Sequence, residues 1–390
     1  MTPRERYKAM MNFEKPDKIP WAEMIDVEPL LQWVYEGKID PRVIRSRPGY
    51  QFPEGGMISA DNPRLLDFPI NLMFGCIDFM GLIFPNDKGI IPRFTIKQIA
   101  DTDDYYEIRG DSGVHVRRTK HAPHKWYSMP MFTHWPVKDK RSWEEYKKRL
   151  DPKDNRRIPM DWDQDEYAEL FKNYQAGPTK VTFNGLYGFG AQLMGISKWN
   201  TLFFEDPDLA DDIADFWEYF TIELYRPFLN SLGEYVDTTS WFEDFAEKHG
   251  PFVSRKTFER FFLPHYKKVA RFFKEKGIKH AMLDSDGNIN SLLDLLIEAG
   301  IDGIWPMEVN AGMDAATVRE RFGKKIWFDG NIDKREACLG GERMKKEVDR
   351  KMAVAEEGGY ALGVDHVVHT EFTYEKFVEY ANYMKEKLSY

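Results

Sequence analysis

The chain has only two cysteines, Cys76 and Cys338, in 390 residues. They lie far apart and form no CxxC pair, which leaves neither a disulfide framework nor a cysteine-based zinc cage. Positive charge is also short: 55 Lys and Arg against 64 Asp and Glu give a net charge of −9. Nucleic acid is therefore excluded as a partner, because phosphate contacts need clustered Lys and Arg. No apolar run reaches membrane-spanning length, and the opening MTPRERYKAMMNFEKPDK is too charged for the apolar core of a signal peptide. A cytoplasmic protein with no membrane contact is expected. No repeat of solenoid length and no low-complexity tract is visible.

Aromatic residues are plentiful: 28 Phe, 19 Tyr and 11 Trp make up 15% of the chain. Such content suits a flat, apolar ligand or a heavily aromatic core. The length fits one α/β barrel with insertions. Strands are predicted at 18–24, 76–80, 180–184, 235–242, 280–284, 302–306, 325–329 and 359–364. Helices are predicted between them, with start signals at Asp206-Pro207-Asp208, at Ser254 and at Asp314. Eight strands alternating with helices predict a closed (β/α)8 TIM barrel, a single domain over 1–390. An N-terminal helical extension starts at Thr2 and Pro3. An insertion occupies about 83–155. Within it Tyr106-Glu107-Ile108-Arg109 and Gly113-Val114-His115-Val116-Arg117, broken at Asp111-Ser112-Gly113, predict a β-hairpin; residues 138–155 read as a charged helix and linker.

The predicted strand ends carry the chemistry. DSDGN, GIWPMEVNAGMD, FDGNID and GVDH each follow a strand and precede a helix, as at a barrel's catalytic face. Glu243, after Trp241-Phe242, is the general-acid candidate, because aromatic walls desolvate a carboxyl and raise its pKa. The alternative for Glu243 is a strand-end carboxylate tied to a backbone amide. Asp284 and Asp286 stand two apart and share a side, suiting metal or proton work, or else a helix cap and turn. His366 can be a ligand or an acid; His280, at the opposite rim, reads as structural. Glu308 and Asn310, then Asn331 and Asp333, can bond ligand polar groups or serve as turn residues. Asp78 and Asn184 join the binding set near the ends of the second and third strands. Trp21, Tyr187, Trp241 and Trp305 are placed at the rim. The glycines of NGLYGFGAQLMG fit a dinucleotide loop poorly and instead let the chain approach a flat ligand, with Tyr187 and Phe189 as walls.

The segments TPRERYKAMMNFEKPDKIP, WFEDFAEKHGPFVS and DSDGN…GIDGIWPMEVNAGMD…FDGNID resemble the uroporphyrinogen decarboxylase superfamily over nearly the whole chain. That superfamily holds both the decarboxylase and cobalamin-dependent methyltransferases, so the resemblance implies a (β/α)8 barrel without choosing its chemistry. The decarboxylases clamp their polycarboxylate substrate with arginines just after the first strand. Here that place reads WAEMIDVEP, with Glu23, Asp26 and Glu28 and no arginine until Arg42, a repulsive setting for such an anion. Thiol-methylating members carry a zinc site of pattern H-x-C with a distant Cys. The matching positions here are Asp284, Asp286 and His366, a candidate metal set suited to zinc or a harder ion but poor for activating a thiol. The resemblance, together with the long insertion at 85–137, therefore implies the demethylating branch. Such an enzyme moves a methyl group from a methoxylated aromatic or similar small-molecule donor to the cob(I)alamin of a partner corrinoid protein, with Glu243, Asp284 and His366 as catalytic candidates. A decarboxylase-like activity and a non-catalytic barrel remain the alternatives, and a homodimer is left open.

Overall fold

The computed structural model describes residues 1–40, 74–79, 81–121 and 130–388. In chain order, β1 (Ala22–Glu23), β2 (Ile77–Asp78) and β3 (Leu82–Ile83) precede a four-stranded antiparallel sheet, β4 (Lys97–Asp101), β5 (Tyr105–Arg109), β6 (His115–Thr119) and β7 (Met131–His134). Then come β8 (Thr179–Asn184), β9 (Thr238–Phe242), the short pair β10 (Ala246–Glu247) and β11 (Gly250–Pro251), β12 (His280–Asp284), β13 (Gly303–Trp305), β14 (Trp327–Ile332) and β15 (Tyr360–Val364). Seven strands form one parallel sheet in the order β15-β14-β13-β12-β9-β8-β3. β1 closes it. The Leu362 N–H donates to Pro20 O at 2.8 Å, and β1 pairs in parallel with β2, whose chain continues through Gly81 into β3. With β2 and β3 counted as one position, the ring has the eight staves of a TIM barrel.

Strand pleating sorts the side chains into two cores. Inside the ring, Met282, Trp305, Trp327 and Ala361 pack with Ile77, Phe79 and with Tyr7, Met10 and Met11 of the N-terminal helix Pro3–Met11. Outside it, Val181, Phe183, Trp241, Leu283, Ile304 and Phe328 meet the helices. Gly303 is required by this packing, since a Cβ there would lie 2.1 Å from the Trp327 ring.

The N-terminal helix plugs the bottom of the ring. Thr2 and Glu5 form its capping box. Arg4 donates to Asp237 Oδ2 at 2.7 Å, to Tyr235 O and to Thr179 Oγ1, while the Tyr7 hydroxyl donates to Asp329 Oδ2 at 2.6 Å inside the barrel.

Several boundaries differ from the sequence expectation. The fourth strand begins at Thr238 because Gly233–Tyr235 is a 3-10 turn. The seventh runs on to Ile332, so Asn331 lies in it. The helix expected from Ser254 is interrupted at Phe262, where Pro264 starts a second helix, Leu263–Glu275. The hairpin is the centre of a four-stranded sheet. Met80 lies outside the described residues. Among the described residues, no helix is long and apolar enough to cross a membrane.

Arg4→Met should cost about 3 kcal/mol or more, because it leaves the Asp237 carboxylate buried without its main partner. Chemical denaturation measures this; a loss under about 1 kcal/mol would mean that Lys8, 3.2 Å from Asp237, suffices alone.

Candidate active site at the C-terminal rim

The last residues of four adjacent strands lie in register: Asn184 beside Phe242, Phe242 beside Asp284, Asp284 beside Trp305. All four point into the ring, since Val181, Phe183, Trp241 and Leu283 point out. Beneath Asn184 on the same face of β8 come Thr182 and Lys180. The Lys180 Nζ donates to Phe79 O at 2.6 Å and lies 4.0 Å from that ring's centre.

Above this row stands a cluster of acids. The Asp286 N–H donates to Asp244 Oδ1 at 3.3 Å, the Gly287 N–H to Glu308 Oε2 at 3.0 Å, and Asp365 accepts from the N–H groups of Val309 and Lys334. His366 Nε2 lies 3.4 Å from Asp286 Oδ1, and its ring stacks on Trp305 at 5.6 Å, which in turn stacks on Phe79 at 4.6 Å. Positive φ angles fall at Asp244, Met307, Asn331 and His366, at the ends of β9, β13, β14 and β15. Backbone strain of this kind, on the order of 1–3 kcal/mol per residue, gathers where a site requires it.

Burial and mutual repulsion control the protonation states. Desolvation, then the charges of Asp244 and Glu308, push Asp286 up to about 7. Asp284 is raised well above the carboxylate range by burial and by Asp244 and Asp286, with Lys180 opposing. Asp365 rises to about 6 through burial, and His366 falls to about 3 through burial and the Lys334 charge. Near neutral pH Asp284 is thus held toward its protonated form and Asp286 stands near its midpoint beside a neutral imidazole, while Asp365 is mostly ionised.

Other candidates sit elsewhere. Glu243 is fully buried and faces away from the ring: its Oε2 accepts from the Gly188 N–H at 2.9 Å, at the start of the helix Leu186–Met194. Desolvation still lifts it to about 8 against those amides. Gly185 makes room for it, since a Cβ there would meet Glu243 Oε1 at 1.8 Å. Trp21 and Trp241 do not line the rim, because their parity directs them into the helix layer, against Tyr380 and against Trp217 and Tyr266. Asn331 is fully buried and structural: its Oδ1 accepts from the Ala315 N–H, and its Nδ2 donates to Met307 O and Met313 O. Asn310 accepts from Arg335 on the surface, Asp333 caps the helix Lys334–Ala337, and His280 holds Asp302 at the start of β12. Asp78 pairs by backbone with Glu23, but its side chain lies outside the described atoms.

Asp284, Asp286 and His366 do not converge as a ligand set. Among the described residues, the group of three whose donor atoms fall within 4.8 Å is Asp215, Glu218 and His265, on outer helices, with Glu218 already ion-paired to Lys268. Sequence reasoning passed over Lys180, Asp244 and Asp329; the alternation Lys180, Thr182, Asn184 was the available signal for the first. Asp329, bonded by Tyr7, is pushed up to about 7 by burial.

Beside the rim, a cavity of about 670 Å³ opens between the inserted sheet and the ends of β8 and β9. Asn184, Tyr187, Phe189, Phe242 and Asp244 line its barrel side, and Val114, Val116 and Phe132 its other wall. The Asn184 Nδ2 donates to Gln192 Oε1 at 2.9 Å, and the Tyr187 hydroxyl donates to Asn200 Oδ1 at 3.1 Å.

A parallel barrel with its acids and strained residues at the C-terminal strand ends is an enzyme scaffold in its architecture. A family model described as uroporphyrinogen decarboxylase (URO-D) matches residues 187–386, half of the chain, and the chain belongs to that family. Among solved structures, it is similar to a methyltransferase from Methanosarcina mazei, at 16% identity, 99% coverage of both chains and a TM-score of 0.61, which shows a shared fold from end to end. It also matches a B12-independent methionine synthase from Shewanella sp. W3-18-1, at 13% identity over 58% of this chain and 65% of that one, with a TM-score of 0.37. No curated protein sequence matches it.

The buried carboxyls link stability to pH. Glu243 at about 8, Asp286 and Glu23 at about 7 and Asp365 at about 6 all lie above their unfolded values, so each favours the fold while protonated and loses that contribution as pH rises through its folded value. The thermal midpoint should therefore fall as pH rises from about 5 to 8. Glu243→Gln should flatten the upper end of that fall, and an unchanged slope would place its ionisation elsewhere.

Proposed function

We propose that this protein is a methyltransferase that removes a methyl group from a methoxylated aromatic or similar ether and passes it to the cob(I)alamin of a separate corrinoid protein. The observation that carries this is the rim itself: a crowd of acids, with Asp284 and Asp286 pushed toward their protonated forms, next to an inward aromatic wall. A phenolate or alkoxide is a poor leaving group, so cleavage of a methyl–oxygen bond calls for an acid at the ether oxygen. Asp286, part exposed and paired with His366, is the group best placed to give that proton, and desolvation together with the charges of Asp244 and Glu308 favours its protonated form. The corrinoid supplies the nucleophile that accepts the methyl group. Phe242, 41% exposed on the inner face, leaves an open apolar edge at the ring's mouth for its approach.

The same cluster weighs against decarboxylation of a polycarboxylate tetrapyrrole, which among the described rim residues meets acids where an arginine clamp would be needed. Asp286→Asn should lower phenol release from methoxyarenes in the presence of cob(I)alamin by about 10²-fold. In the wild type the rate should decline as pH rises through about 7, where Asp286 loses its proton. A flat pH profile with full activity in Asp286→Asn would remove Asp286 as the acid, and turnover of uroporphyrinogen would overturn the proposal.

A further inference from the structure

Lys88 lies in the segment that leads from β3 toward the inserted sheet, and its side chain reaches over the ring's edge. Among the described residues its Nζ donates to Thr182 Oγ1 at 3.0 Å, on the inward face of β8, and it has no ion-pair partner. Arg93, on the same cavity, is by contrast held by Asp87 and Asp111. An ammonium carries three donor hydrogens, so two on Lys88 are left for something that enters the cavity. Burial lowers this amine to about 8, the response of a cation without a counter-charge in contact.

The remaining walls limit what enters. Val114, Phe132, Trp135 and Phe189 are apolar, and the volume of about 670 Å³ lies within the range that takes a ring-sized organic molecule. Asp244 belongs both to this cavity and to the acid cluster, where it accepts the Asp286 N–H. A ring held here has one end at Lys88 and another side toward the rim acids.

We propose that this cavity is the donor subsite and selects aromatic ethers that carry one anionic substituent, a carboxylate or phenolate, bound by Lys88 Nζ. The proposal rests on the demethylase reading for its chemistry, but its binding component stands apart from methyl transfer. A single cation beside an apolar wall recognises a monoanion; it does not suit a polyanion or a neutral arene.

Calorimetric titration of the full chain with 4-methoxybenzoate, benzoate and methoxybenzene tests it. Both carboxylates should bind at least tenfold more tightly than methoxybenzene. Lys88→Met and Lys88→Gln should each remove that preference, and Lys88→Arg should keep part of it, with circular dichroism confirming the fold of each variant. Equal affinity for the three probes, no binding of the carboxylates, or an unchanged preference in folded Lys88→Met and Lys88→Gln would overturn the proposal. Lys88-dependent carboxylate binding without any demethylation would sustain this subsite and defeat the demethylase assignment instead.

Discussion

A strand in a closed barrel has only two faces, and one step along it moves a side chain from the interior of the ring to the helix layer. The rest of this structure depends on that parity. On β8 it sends Lys180, Thr182 and Asn184 inward and Val181 and Phe183 outward; on β9 it sends Trp241 outward and Phe242 inward, and Glu243, just past the strand, turns outward again. Because neighbouring strands keep register, the inward residues line up as rows. The top row, Asn184, Phe242, Asp284 and Trp305, is the floor on which the loops build the site.

The loops then crowd acids together at a place where water is scarce. Asp244, Asp284, Asp286 and Asp365 gather beside Glu308, and desolvation and mutual repulsion shift these four toward their protonated forms. This is unfavourable for stability at alkaline pH. It yields proton donors that work near neutrality, which an exposed aspartate cannot be. Positive φ at Asp244 and His366 belongs to the same trade, since both residues hold strained backbone while carrying their side chains into the cluster.

The barrel was legible because its signals are local and repeated: Thr2, Ser254 and Asp314 cap helices where their side chains predicted, and β12 matches its expected span from His280 to Asp284. Strand ends were legible too, which brought Asp286, Trp305 and His366 to one place. What failed was the sorting by face. Trp21 and Trp241 were placed at the rim by their strand ends, although their parity points them into the outer core, and Glu243, desolvated as expected, is tied to a backbone amide on that outer side, which was the alternative reading. Asn331 is structural, but within a strand rather than in the expected turn, because β14 runs three residues past its expected end, and nothing local announces that Lys351 and the Met307 carbonyl will bond it. Lys88 and Lys180 went unseen for another reason: lysine is the residue most readily assigned to solvent, and its burial is a tertiary fact.

The insertion shows parity acting a second time. Val114 and Val116 stand two apart and both face the cavity, while the intervening His115 turns the other way, toward Glu107 and His134. The inserted sheet therefore presents an apolar stripe to the barrel's mixed row of Asn184 and Phe242. Neither surface encloses a ligand by itself: the row supplies Asn184 and Phe242, the stripe supplies the opposing wall, and Lys88 lies in the chain that joins them. A barrel of this family without the inserted sheet would leave its β8–β9 edge open to water, where a monoanion gains little from a lone lysine. Closing that edge with an apolar wall lowers the local dielectric, which is what the proposed monoanion site at Lys88 requires of its surroundings.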